Sequence, residues 1–329
     1  MGGRAGDHDR RGRSTLTDQG TRAIGRGEAY AALAASAFGS AYVATAFALR
    51  SFEPLVAAVY RSLFAALALA VVVWIARRRG QAAAAEAKPP RNRIAMHLAI
   101  LGALGGAIFL VAMNLAVAGV GATIASFVAG LYAVLAAVIA PLVLRERLRP
   151  RALVAFVVAL VGTALLAELD LTADSIGGIA WGLVGAASFA LFLVFSRKWG
   201  REDGLDGLLI GLATMTVAAV ALGLIVLLTR PASLLPSRVA PEALAAMVWL
   251  VVSAAGGLAL APASVKLIPA SRSAAFLLLN PIVAAVLSAI LLGERPSGVQ
   301  TIGGALVLAG IAAATLDPGV FRPRRTTSG

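Results

Sequence analysis

Cysteine is absent and the only histidines are His8 and His97, so disulfides, thiolate chemistry and a metal site built from Cys and His are excluded. Charge is scarce too: 14% of the residues are charged, against about 25% in an average soluble domain. Lysine has nearly vanished, with Arg outnumbering it 26 to 3, and with the abundant alanine this fits a GC-rich bacterial genome. Neither Asp nor Glu falls well inside any long apolar run. An enzyme acting within a membrane would need a carboxylate pair, metal ligands or a nucleophile with its base at that depth, and none is there. No resident cofactor is expected.

What is present is apolar surface, 60% of the chain. It comes in runs of the length that a hydrocarbon layer about 30 Å thick demands, around 20 residues per helix. Ten such runs follow one another: Ala29 to Leu49, Leu55 to Ala76, Ile94 to Ala116, Ala122 to Leu144, Ala152 to Ala167, Ile176 to Phe195, Leu208 to Leu228, Ala243 to Ala261, Ala274 to Leu292 and Val299 to Leu316. None alternates polar with apolar, so a β-barrel is excluded in favour of helices. The first run, at 21 residues and with nine more behind it, does not read as a cleaved signal.

The net charge of +13 is distributed by side. With the N-terminus placed inside, the inner connections and tails hold 24 Lys and Arg and the outer ones hold four, Arg50, Arg230, Arg238 and Arg295. That is the positive-inside pattern, so the basic character reports topology and no nucleic-acid partner is expected. The lipid bilayer is the expected partner, and the expected location is a bacterial inner membrane with both termini cytoplasmic. The Arg-, Gly- and Asp-rich segment 1–27 is expected to be a disordered basic tail, and 317–329 a second tail.

The chain also repeats itself. Residues 118–164 lie over 266–312 at a shift of 148 without a gap: Leu131 meets Leu279, Ala136 to Val138 meets Ala284 to Val286, Glu146-Arg147 meets Glu294-Arg295, and Gly162 meets Gly310. The expected units are 28–168 and 169–316, five helices each. An odd unit repeated in one chain must insert with opposite orientations, which predicts an all-α membrane protein of ten transmembrane helices in two inverted five-helix repeats, an architecture associated with alternating-access carriers.

Three stretches resemble the EamA family of the drug/metabolite transporter superfamily: "LRERLRP" at 144–150, "LIPASRSAAFLLLNPIVAAVLSAILLGERPSGVQTIGGALVLAG" at 267–310, and "VYRSLFAALAL" around Arg61. The resemblance implies a carrier with a central cavity bounded mainly by helices 1, 3, 4, 6, 8 and 9, often exporting amino acids or related metabolites. It also carries a departure, since the residue before the helix-9 proline is often Glu in that family and is Asn280 here.

Pro281 has no N–H, and the expected consequence is a helix broken at membrane depth with the Asn280 amide at the same level. The repeat places Asn280 over Tyr132, so each half offers one large polar side chain near the axis. Both are candidates for substrate binding; the alternative for Asn280 is interhelical hydrogen bonding. Ser36 and Ser40 share a face and either line the cavity or let helices approach closely. Asn114 either faces the cavity or caps its helix; Ser188 and Phe192 either meet substrate or pack core. Arg61, six residues into the second run, is expected to snorkel outward as a structural anchor rather than bind substrate. Glu146-Arg147 and Glu294-Arg295 are candidate gate ion pairs at helix ends, or simple helix terminators.

The function expected is a multi-pass carrier exporting a small metabolite, neutral or zwitterionic, by facilitated diffusion or exchange, as no titratable group lies at depth. A non-transporting scaffold or receptor is the alternative, and monomer or homodimer is left open. Reporter fusions at Gly80 and at Ala173 should read opposite sides of the membrane; the same side for both would refute the helix count.

Overall fold

A computed structural model of the chain describes residues 5–78, 91–144, 150–166, 173–234, 236, 238–265, 267–268, 276 and 279–315. Among them there is no β-strand. Six helices are long and apolar enough to cross a membrane: Gly25–Ala48, Pro54–Arg78, Arg91–Val143, Asp174–Glu202, Gly207–Thr229 and Pro241–Ala261, with shorter apolar helices at Leu153–Leu166, Leu279–Leu291 and Gly298–Ala313.

The third of these, at 53 residues, would run about 80 Å if straight, more than twice the hydrocarbon thickness. It is not straight. Gly121 has φ 77 and ψ 172, a conformation that breaks the helix and that side-chain-bearing residues avoid. We therefore label α1 Ala5–Ala48, α2 Pro54–Arg78, α3 91–120, α4 122–144, α5 Pro150–Leu166, α6 Ala173–Glu202, α7 Gly207–Thr229, α8 Pro241–Val265, α9 Leu279–Leu291 and α10 Gly298–Thr315. Within α3 the segment Ala103–Ile108 winds as a π-helix.

Helix α1 reaches back to Ala5, so 5–27 continues the first span where the sequence predicted a disordered tail. Once a span supplies the nucleus, each further residue adds a hydrogen bond at little cost, and Ala and Arg favour that extension.

The interior is mostly apolar, as in a soluble bundle, but here the outer surface is apolar as well. Leu142, Leu228 and Ile290 are 76%, 75% and 71% exposed, faces suited to lipid and costly in water. Inside, small residues let helices approach, and hydroxyls fold back on their own helix: Thr45 donates to the Ala41 carbonyl at 2.8 Å, Thr163 to Ala159 at 2.9 Å and Thr214 to Ile210 at 2.7 Å. Those bonds satisfy hydroxyls that find no water at that depth.

The main packed pairs are α1 with α8 and α9, α6 with α3 and α4, α2 with α7, and α5 with α10. Exchanging the two halves maps this set onto itself. Helices α5 and α10 cross closely: a Cβ on Gly162 would stand 2.6 Å from the Gly303 carbonyl oxygen and one on Gly310 would stand 2.8 Å from that of Ala155. The shift of 148 turns the first contact into the second, carrying 162 to 310 and 155 to 303.

Valine at Gly162, Gly303 or Gly310 should therefore cost about 1–3 kcal/mol through overpacking. Gly223→Ala, with open space around its Cβ, should not destabilise comparably. Thermal unfolding of the purified protein in detergent measures the difference; equal melting temperatures for all would refute the close crossing.

Candidate functional site

A cavity of about 640 Å³ lies between the helices. That volume sits within the roughly 300–1,000 Å³ of small-molecule sites. At its inner end stand Tyr42 of α1, Arg61 of α2, Tyr132 of α4 and Asn280 of α9; Phe38, Phe109, Phe189 and Phe192 form walls; and it extends to Arg197, Gly200, Arg201 and Leu205 near the α6–α7 connection. Helices α2 and α7 thus contribute as well as the six expected, through Arg61 and through Ile210 and Thr214.

The opposite ends of the same helices are tied together. The Glu294 carboxylate accepts from the backbone N–H of Ala122 at 2.9 Å and of Thr123 at 3.0 Å, capping α4 immediately after the Gly121 break. Gly121 leaves room for it, since a Cβ there would stand 2.8 Å from the Glu294 carboxylate. Asn114 donates to the Pro54 carbonyl at 2.8 Å, and the Ala240 N–H donates to the Ser51 hydroxyl at 3.1 Å. Arg230 pairs with Glu53 at 3.3 Å, and Tyr60 donates to the Leu234 carbonyl. These contacts join the α1–α2, α3–α4, α7–α8 and α9–α10 connections, all at the end away from α6–α7. The cavity is open toward one side and closed toward the other.

At its floor the Asn280 side-chain amide donates to the Tyr132 hydroxyl at 3.2 Å, while its Oδ1 has no partner. These two residues are 148 apart, the repeat shift itself. Phe189 joins this floor to the walls, with its ring centroid 5.0 Å from that of Tyr132, 4.5 Å from Phe109 and 5.3 Å from Phe192.

The other predicted residues divide. Ser36 is half-buried on α1 away from the cavity lining, and Ser40 accepts from the Trp249 indole at 2.9 Å, an α1–α8 contact beside a separate lateral groove. Ser188 donates to the Leu104 carbonyl at 2.7 Å, holding α6 to the π-helical segment, so it does not face substrate space. Asn114 closes the far end, and Phe192 lines the wall. Arg61 does not snorkel: it is 4% exposed and contacts the Met113 sulfur at 3.6 Å. Its helix starts at the closed end, and burial by α1 and α3 leaves it no path to a headgroup. Glu294 caps a helix instead of pairing with Arg295, because two unpaired N–H groups at a broken helix start attract a carboxylate more than an exposed guanidinium does. Glu146 and Arg147 lie outside the described residues. The described part of α9 begins at Leu279, with the buried Asn280 and Pro281 at its head; residues 277 and 278, on which the expected break depends, lie outside the described residues.

Beside the open end, His97 meets the buried Asp203 carboxylate at 2.6 Å and stacks on Trp199 at 4.1 Å, with Arg93 adding a contact to Asp203 at 3.5 Å. This cluster pins the start of α3 to the end of α6.

The model of the EamA-like transporter family matches residues 25–167 and, a second time, 176–316. The chain belongs to that family. Its members are transporters, and in this EamA-like transporter the cavity lies among the apolar helices. A crystal structure described only as "Crystal structure of protein" is similar over 88% of this chain and 96% of its own, with a TM-score of 0.61 and 18% identity, a likeness of fold. No curated protein matches the chain.

Sequence reasoning missed Tyr42 and Phe189. Tyr42 carries the same signal as Tyr132, a polar-tipped aromatic within a span. Phe189 lies three residues before Phe192 and could have been found by extending that face.

Glu294→Ala in this transporter should cost about 1–2 kcal/mol by uncapping α4. It should also raise the reactivity of a single cysteine at Val120 toward an impermeant maleimide, and unchanged labelling would show that the cap does not hold that end shut.

Proposed function

We propose that this EamA-like transporter is an alternating-access carrier that exports a small metabolite, an amino acid or a related compound, from a bacterial cell across the inner membrane. The observation that carries the reading is the Tyr132–Asn280 contact at the cavity floor. Residues equivalent in two repeats touch each other only at the axis relating the repeats, and inverted-repeat carriers place substrate there.

Ten spans in two inverted five-helix repeats follow from the same reading. Support comes from the packing pairs that survive exchange of the halves and from the α5–α10 crossing that reproduces itself at the repeat shift. The distribution of Lys and Arg then puts the α6–α7 end in the cytoplasm with both termini, so the cavity faces inward. In the outward-facing state, the gating role at the other end passes from Glu294 to its repeat equivalent Glu146. A scaffold would have no use for a cavity open to one side.

The lining includes no Asp, Glu or His among the described residues. Glu294 is committed to backbone N–H groups and His97 to Asp203. The mechanism that fits is facilitated diffusion or exchange, with Asn280 hydrogen-bonding the polar part of the substrate.

In proteoliposomes with a panel of radiolabelled amino acids and amines, Asn280→Ala should lower transport about tenfold or more, the loss of a well-placed buried hydrogen bond, without comparable loss of folded protein. An imposed pH gradient alone should drive no accumulation. Concentrative uptake under that gradient would remove the uncoupled mechanism, and absence of any flux across the panel would remove the carrier.

A further inference from the structure

The charge lining the cavity is of one sign. Arg61 lies at the floor and Arg201 on the way to the open end, and the described lining residues include no carboxylate. Arg61 is the informative one. Its residue is 4% exposed, its Nε has no hydrogen-bond partner, and the contact recorded for its Nη1 is the Met113 thioether at 3.6 Å. A guanidinium offers five N–H donors in a planar fork, and a thioether is a weak acceptor. A buried cation held this way is incomplete: desolvation has been incurred without a counter-charge to offset it. A structural anchor would reach a headgroup or a carboxylate, and Arg61 lines the cavity instead.

A second unpaired atom stands at the same floor. Asn280 Oδ1 is buried without a donor, while the amide nitrogen of that side chain is occupied by Tyr132. The remaining surface is largely apolar, with the rings of Phe38, Phe109, Phe189 and Phe192 set among aliphatic side chains. An occupant that completes the site brings an oxyanion for the fork of Arg61 and a flat or branched apolar body for the rings, and gains further from an N–H donor for Asn280.

We infer that Arg61 binds the carboxylate of the substrate, and that the substrate class is small carboxylates with an apolar body, α-amino acids being the members that also satisfy Asn280. This rests on the carrier reading for its meaning in transport, but the binding site is testable without transport. Planar, charge-assisted pairing explains why Arg rather than Lys would serve.

The test uses the full chain in nanodiscs and four probes on one skeleton: 3-phenylpropanoate, phenylalanine, 3-phenylpropanamide and 3-phenylpropylamine. Ligand that binds the folded state raises the melting temperature with concentration. The two carboxylates should stabilise the protein at concentrations about tenfold or more below the amide, the discrimination of a charge-assisted pair, with phenylalanine ahead of phenylpropanoate and the amine inert. Arg61→Gln should erase the preference for carboxylate over amide, and Arg61→Lys should keep part of it. If Arg61→Gln does not purify, the wild-type comparison of carboxylate with amide decides alone. Equal response to amide and carboxylate, a preference for the amine, no response to any probe, or a carboxylate preference that survives in Arg61→Gln would each overturn the inference. Carboxylate-selective binding without flux in proteoliposomes would overturn the carrier and leave this site standing. Flux of amide and carboxylate alike would do the reverse.

Discussion

In hydrocarbon an unpaired polar group finds no water, and most of this structure is an answer to that fact. It forces the backbone into helices, turns the hydroxyls of Thr45, Thr163 and Thr214 back on their own carbonyls, and sends the Glu294 carboxylate to the two N–H groups that the break at Gly121 exposes. Among the described residues the rule is relaxed at seven buried side-chain atoms, and three of them share one space. Arg61 Nε, Ser196 Oγ and Asn280 Oδ1 are buried without partners, and all three residues line the cavity. Unsatisfied polar atoms gathered around one space are what a ligand site looks like before its ligand arrives.

Packing without a hydrophobic driving force has to come from close approach, and the small residues supply it. The α5–α10 crossing depends on missing side chains at Gly162, Gly303 and Gly310, and Gly39 lets α1 approach the backbone of Asn280. The second of these matters for the site, because it fixes how α9 presents its amide. Close-packed surfaces of this kind have discrete arrangements rather than a continuum, which suits a molecule that has to be closed at one end or the other.

The closed end is built from backbone groups and short polar side chains: Asn114 on the Pro54 carbonyl, Ser51 on the Ala240 N–H, Glu294 on the α4 start. Individually these are modest bonds, worth about 0.5–3 kcal/mol each depending on charge. Modest bonds at several connections let the end open without unfolding the helices that carry it. The residues 91–108, by contrast, are pinned by the His97–Asp203 contact and by Ser188 on the Leu104 carbonyl, beside the wall formed by Phe189 and Phe192.

Helical class, membrane residence, charge asymmetry, the internal repeat and the pairing of Tyr132 with Asn280 were all legible in the sequence, since each depends on composition, on run length or on register along one chain. The Gly121 break between α3 and α4 was legible too, as the gap between two runs. What the sequence could not decide was which face of each helix meets which neighbour. Ser40 and Ser188 are as polar as cavity residues but are spent on Trp249 and Leu104, whereas Tyr42 and Phe189, unremarked in their runs, face the cavity. An apolar helix carries no amphipathic stripe that points inward, so orientation comes from packing alone. The same holds for Arg61 and Glu294. Position along a helix allowed one to reach the interface and the other to pair with its neighbour, and tertiary contacts turned the first into the cavity and laid the second on the backbone of α4.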